Sequence, residues 1–251
     1  MVAVTVRELT ADDAPWVAEL MEQRRQVYAG YSPVFWRPAL GVVDLHTRFL
    51  RRQIASPANV ALRTDHGFII GQRRAAEGFV DDFAVGPDGS WDADGTELLR
   101  QTWQRLSSGG GFEALRVVTA HADEEKSALL RGLSLQLAEQ WWVRELPGGG
   151  PLRPPARVAG TGFSGILGPA PPVYDPGGLV LAVDGLADDA EVTAVEAEAT
   201  DMGAVLLVIP VPAGSPRAAE LPGLGWTVAS DWYLGQPAPG EPRRKQTETL
   251  L

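Results

Sequence analysis

Two stretches of this 251-residue chain carry the same pattern 91 positions apart, and this repeat restricts the fold more than any other feature. Leu115-Arg-Val-Val118 lies on Leu206-Leu-Val-Ile209. Without a gap, Gly132-Leu133 then falls on Gly223-Leu224, Leu135 on Trp226, and Trp141-Trp142 on Trp232-Tyr233. Upstream, Leu179–Asp184 repeats the apolar strand that ends at Val85, Ala187–Met202 repeats the helix after it, and Gly162-Phe163 echoes Gly67-Phe68. A repeated supersecondary unit predicts two related units packed on one another. The second unit lacks counterparts of the first strand and helices, so it leaves a sheet edge that the first unit or another chain must cover.

The order of elements follows from hydrophobic periodicity and its breakers. Val4–Leu9 alternates as a strand. Thr10-Ala-Asp-Asp13 reads as a helix cap with acidic first-turn residues, and Pro15 sits early enough to be tolerated. The helix continues through Trp16, Leu20, Arg24 and Val27. A second helix over Leu40–Ile54 stops at Ser56-Pro57. Strands are predicted at 60–63, 67–72 and 78–85, then a loop and a helix carrying Leu98, Leu99, Trp103 and Leu106. After the breaker Ser107–Gly111 come a strand at 114–119, a helix around 124–131 and a last strand pair near 135–143. Gly148–Gly178 is rich in Pro and Gly and reads as a linker containing one strand. The chain therefore divides into a unit at 1–147, a linker at 148–178, a shortened unit at 179–238 and a polar, disordered tail at 239–251.

Composition excludes several classes of function. Without Cys there are no disulfides, thiolate nucleophiles or Cys-ligated metals. His46, His66 and His121 share no metal-like spacing and read as surface or cap residues, so no metal is expected. Of the net charge of −10, residues 148–240 supply −7, from ten acidic residues against three Arg, which argues against nucleic acid as a partner. No apolar run is long enough for a membrane span. The N-terminus lacks signal-peptide features, so a cytoplasmic location is expected.

The stretch Phe83-Ala-Val-Gly-Pro-Asp-Gly-Ser-Trp-Asp-Ala-Asp-Gly-Thr-Glu-Leu-Leu99 is a strand end, a tight loop and a helix N-terminus. That arrangement presents backbone N–H groups and a positive dipole end to an anion. It resembles the acyl-CoA-binding turn of the GNAT acyltransferase superfamily. Counted from Val85, Pro87, Asp88, Gly95 and the pair Leu98-Leu99 fall in the family's register. Ser90 stands where Arg or Gln is expected, Ala93 replaces the first glycine, and Asp92 and Asp94 add negative charge beside the pyrophosphate position. The ending Leu-Pro-Gly-Leu-Gly-Trp226 with Tyr233-Leu-Gly resembles the family's closing pattern. The fold class that the resemblance implies is α/β (α+β): a GNAT-like mixed, mostly antiparallel sheet flanked by helices, followed by a partial repeat of the same fold.

The resemblance also implies a chemistry. In GNAT enzymes an amine attacks the thioester of acetyl-CoA or another acyl-CoA directly, without a covalent nucleophile. It places Ala84, Val85 and Gly86 on the pantetheine and acyl carbonyl, and Ser90, Trp91, Ala93, Gly95 and Thr96 against the phosphates. Asp82 and Asp81 are the base candidates; strand alternation turns only one of them to the cleft. Leu130 and Leu221 stand at the positions of the family's general-acid Tyr, which leaves Tyr28 and Tyr31 as substitutes. Trp36 and Trp91 fall in loops beside the cleft. The acidic loop Gly185–Glu191 predicts that the second unit binds no CoA. Two functions follow: N-acyl transfer to a small-molecule amine acceptor, with the second unit walling the acceptor site or forming a homodimer, or a non-catalytic GNAT-like protein that binds a ligand or partner in the old cleft.

Overall fold

A computed structural model describes residues 4–108 and 112–236, and among these residues eleven strands form one continuous mixed sheet with six α-helices. The first half runs β1 (Arg7–Glu8), α1 (Ala14–Tyr31), α2 (Val42–Ala55), β2 (Asn59–Arg63), β3 (Gly67–Arg74), β4 (Glu77–Val85), α3 (Thr96–Ser107), β5 (Ala114–Ala120), α4 (Glu124–Gly132) and β6 (Gln136–Glu145). The second half runs β7 (Ala156–Gly160), β8 (Phe163–Pro169), β9 (Leu179–Leu186), α5 (Val192–Asp201), β10 (Ala204–Pro212), α6 (Pro216–Glu220) and β11 (Thr227–Gly235). The tail at 239–251 lies outside the described residues, as do Gly109–Gly111 of the expected breaker.

The sheet order is β1-β2-β3-β4-β5-β11-β6-β10-β9-β8-β7. The halves have thus exchanged their last strands. β11 of the second half sits against β5, while β6 of the first half sits between β11 and β10. At the join, Gln140 pairs with Asp231, its own counterpart in the repeat, and the Gln140 amide donates to Asp231 Oδ1 at 3.0 Å. This pair lies where the two copies meet about a local pseudo-twofold. The second copy therefore covers the sheet edge within the same chain.

Two expectations change. The segment predicted as a strand pair near 135–143 is one unbroken strand, because its hydrogen-bond partners come from the second half. The segment 148–178 holds two strands, β7 and β8, joined at Gly162 with φ 76°, a left-handed turn position that suits glycine. The second copy accordingly starts at β7 and repeats every element of the first from β2 onward.

Side-chain alternation divides the core between the two faces. On one face α3 and α4 cover Val80, Phe83, Val85, Leu115 and Val117, while Leu181, Val183, Leu207 and Ile209 pack with α5 residues Val192, Val195 and Ala199. On the other, α1 and α2 cover Phe68, Ile70 and Ala84. Among the described residues the second half has no such helices. There the α1–α2 loop reaches across instead, with Val34 and Phe35 packed over Val143, Leu206, Val208 and Ala229. The chain between β8 and β9 clamps this loop: Ala39 N–H donates to Val173 (3.1 Å), Asp175 N–H donates to Arg37 (2.9 Å), and Pro38 bridges Tyr174.

Candidate functional site

Parallel pairing between β4 and β5 runs only from Glu77/Ala114 to Val80/Val117, so the C-terminal ends of the two strands part. A β-bulge falls where the cleft opens. Ile69 faces Phe83 and Gly71 faces Val80, so Ile70 alone opposes both Asp81 and Asp82. An extra residue shifts the alternation by one. Val80 and Phe83 therefore share the α3/α4 core, while Ala84 packs under α1 and α2. The rule that only one of the two aspartates faces the cleft fails here, because the bulge places both between Phe79 and Ala84.

The two carboxylates have different surroundings. Asp82 is half-buried and its Oδ1 lies 3.3 Å from Nε2 of the buried His46 on α2. Arg25 on α1 contacts His46 Nδ1, and a guanidinium can only donate. Nδ1 therefore accepts, and the Nε2 proton points at Asp82. His46 is thus a buried spacer rather than the surface residue expected. Asp81 is exposed where β4 and β5 part, and among the described residues it makes no hydrogen bond or ion pair. Surrounding protein nevertheless restricts its hydration, and this, followed by the charge of Asp82, pushes its carboxyl up to about 6.

Across the cleft a second network ties α1 to the start of α4. Asp123 caps α4 through Lys126 N–H (3.3 Å) and accepts from Arg24, from Tyr28 Oη (2.8 Å) and from Thr119 Oγ1 (3.4 Å). Burial, then the Asp123 charge, raises the Tyr28 phenol far above its ordinary range. Lys126 is buried; its Nζ donates to the Phe83 carbonyl at 3.2 Å and lies 5.2 Å from the Phe83 ring. Desolvation brings this ammonium down to about 8. None of Arg24, Asp123 and Lys126 carried a sequence signal, because their partners lie up to 99 positions away.

The turn after β4 borders a cavity of about 720 Å3 lined by Leu20, Arg24, Val27, Gly86, Trp91 and Glu125, among others. Of the expected cofactor residues, Val85, Gly86, Ser90 and Trp91 line it, whereas Ala84, Ala93, Gly95 and Thr96 do not. Ala84 and Gly95 are buried. Trp91 packs its ring 5.0 Å from Phe83, with Arg24 over its face, so it acts as core as much as lining. Residues 91–95 make a single π turn in which Asp94 and Gly95 N–H both donate to the Ser90 carbonyl. The buried Asp94 carboxylate takes Ser90 N–H (3.1 Å), and Ser90 Oγ takes Ala93 N–H (3.3 Å). Gly86 and Gly89 N–H are held by His66 and Gly86 carbonyls. An internal carboxylate, a hydroxyl and backbone carbonyls thus occupy amides that the turn would otherwise offer to an anion.

His121, expected as a surface residue, is half-exposed, and its Nδ1 lies 3.0 Å from both oxygens of the buried Asp231, whose strand comes from the second half. The Asp231 hydrogen bond raises the pKa of the imidazole. Among the described residues no cluster of three or more His, Asp or Glu is placed to hold a metal, and no helix is long and apolar enough to cross a membrane.

A parallel strand pair that opens beside a bulged central strand, with a turn into α3 at its end, can be compared with solved structures. An acetyltransferase candidate from Thermoplasma acidophilum matches with TM-score 0.62 at 14% identity, covering 93% of this chain and 100% of that one. The chain has the GNAT fold. A GCN5-related N-acetyltransferase from Sphaerobacter thermophilus matches with TM-score 0.55 at 10% identity over 93% and 95% of the two chains. An acetyltransferase candidate from Pyrococcus horikoshii gives 0.52 at 12% identity over 94% and 90%. The likeness spans both halves, so the tandem arrangement is itself part of the shared fold. No protein-family model matches the sequence, and no curated protein matches it.

Proposed function

We propose that the protein is an acyl-CoA-dependent N-acyltransferase acting on a small amine. The observation that carries this reading is Asp81, an unpartnered carboxylate on the floor of the β4/β5 cleft in a GNAT fold. Its raised pKa suits a base that takes a proton from an ammonium near neutral pH. Bound acyl-CoA would supply an activated thioester. The cavity beside Val85, Gly86 and Trp91 suits the pantetheine arm and acyl group. The diphosphate would have to displace Asp94 from Ser90 N–H, or lie outside the turn against Arg24. Asp82, turned toward His46 by the Arg25 contact, is a positioning residue. Lys126 holds a proton beside the Phe83 carbonyl and replaces the missing tyrosine acid more readily than Tyr28, whose hydroxyl is committed to Asp123.

The second reading is a non-catalytic protein that binds a ligand in the cleft, and the self-capped turn favours it. Titration with acetyl-CoA and longer acyl-CoAs, followed by Trp fluorescence and melting, separates the two. Cofactor at a hundred times its Kd adds about 2.7 kcal/mol of stability. Absence of any shift with every acyl-CoA overturns the transferase reading.

A further inference from the structure

On the face of the sheet that carries α1 and α2, aromatic rings form a band beside Asp81. Phe79, two residues before it, lies 5.8 Å from the Trp232 ring, and Trp232 stacks on Trp141 at 4.6 Å. Trp141 meets Phe35 edge-on at 6.5 Å, Phe35 meets Trp36 at 4.7 Å, and Trp36 meets Tyr174 at 5.4 Å. Phe49 closes the α2 side, stacked 5.9 Å from His46. Tyr174 is close enough to the carboxylates that Asp81, after burial, helps to raise its phenol. Trp232, Trp141, Phe35 and Tyr174 are only partly buried.

Cations also surround Asp81, yet each is directed elsewhere. Arg74 from β3 donates to Gln72 and lies 3.6 Å above the Phe79 ring. Lys126 from α4 donates to the Phe83 carbonyl, and Arg25 from α1 holds His46 and Glu22. His46 from α2 turns its remaining proton to Asp82, the neighbour on Asp81's own strand. Asp81 is left as an open acceptor of hydrogen bonds framed by rings. From this juxtaposition we infer that the acceptor, on the amine-transfer reading above, is a monocation: a primary ammonium, seated on Asp81, carried by an aromatic or similarly apolar body that packs on the Phe79–Trp232–Tyr174 frame. A carboxylate places a single ammonium, and ring faces attract both cations and apolar surface. A polyamine would bring further charges to a frame whose neighbouring carboxylate, Asp82, already faces His46, and an α-amino acid would set its own carboxylate against Asp81 and Asp82.

The inference is tested by binding without any acyl-CoA, so its failure is separate from failure of the transfer reading. 2-Phenylethylamine, 3-phenylpropionate, phenylalanine and spermidine are titrated into the full chain, with calorimetry and Trp fluorescence as readouts. The amine is expected to bind at least tenfold tighter than the other three. Asp81→Asn is expected to weaken it at least tenfold without lowering the melting temperature, since among the described residues Asp81 makes no hydrogen bond or ion pair and its charge is repelled by Asp82. Affinity for the amine falls as pH drops through about 6, where Asp81 takes up a proton. Tyr174→Ala weakens the amine and leaves spermidine unchanged. Equal binding of phenylpropionate or phenylalanine, tighter binding of spermidine, no binding of the amine, or full affinity in Asp81→Asn each overturns the inference. Amine binding in a protein that ignores every acyl-CoA sustains the site and removes only the transfer.

Discussion

The junction between β5 and α4 and its repeat between β10 and α6 occupy the same place in the two copies and each ends in a side-chain helix cap, Asp123 in one and Ser215 in the other, yet they differ in what they gather. At position 123 an aspartate caps α4 and gathers Arg24, Tyr28 and Thr119. Ninety-one residues on stands Gly214, at φ 72° with nothing within 4 Å of where a side chain would begin. The first copy has α1 and α2, and with them a second wall facing the sheet; the described residues of the second copy have no counterpart of either. A copy of a fold can keep its sheet and still lose its site, because the sheet is held by backbone pairing while the site needs the opposing helices.

The strongest test of that comparison removes one copy. β6 pairs only with β10 and β11, both from the second half, so truncation after residue 147 strips a ten-residue strand of every neighbour. The truncated chain is expected to be insoluble or to melt without cooperativity; a soluble, cooperatively unfolding first half breaks the account of exchanged strands. Next in size is Asp123→Ala, which leaves Arg24 and the Tyr28 hydroxyl unpaired in a buried setting and is expected to cost roughly 3–5 kcal/mol in denaturant unfolding. Gly214→Ala, at the equivalent site, costs only about 1–2 kcal/mol, from the left-handed backbone alone. Similar losses for the two variants contradict the contrast.

Asp94→Ala sharpens the comparison at the turn. It frees Ser90 N–H and removes a buried negative charge, so stability is expected to fall by about 1 kcal/mol and, on the proposed acyl-CoA reading, affinity for acetyl-CoA to rise about tenfold, or 1.4 kcal/mol. An unchanged affinity by calorimetry shows that Asp94 does not occupy the anion position. The smallest effect is at His121. Its folded pKa is raised by Asp231, so the pair stabilises below about pH 6.5 and the contribution is lost as pH rises through the folded value. His121→Gln is expected to lower the melting temperature slightly at pH 5.5 and not at pH 8.5. The reverse order contradicts the pairing.

Much of the fold was readable in advance. The repeat at 91 positions, the Pro/Gly breakers and the Val85 turn located the helices and most of the strands, because periodicity and turn chemistry are local. Three strands were misread: β6 looked like a strand pair because its partners come from the second half, and β7 and β8, a hairpin turned at Thr161-Gly162, lay in a Pro/Gly-rich stretch expected to hold one strand. At the site, Asp81 and Asp82 stood out by residue type on a central strand. His46 read as bland, and Lys126, Asp123, Tyr174 and Asp231 drew no role, because each gains one only from a contact far along the chain.

By itself the sequence determined the class of fold, the two copies, the absence of thiol chemistry and a turn short of basic charge, all of which depend on local pattern and residue type. Tertiary structure decided which strand sits beside which, that a bulge turns both aspartates to one face, that Asp94 fills its own turn, and that Asp81 makes no hydrogen bond or ion pair among the described residues. Those outcomes depend on which charges and backbone groups find one another, and in this chain the partners come from distant elements and from opposite halves.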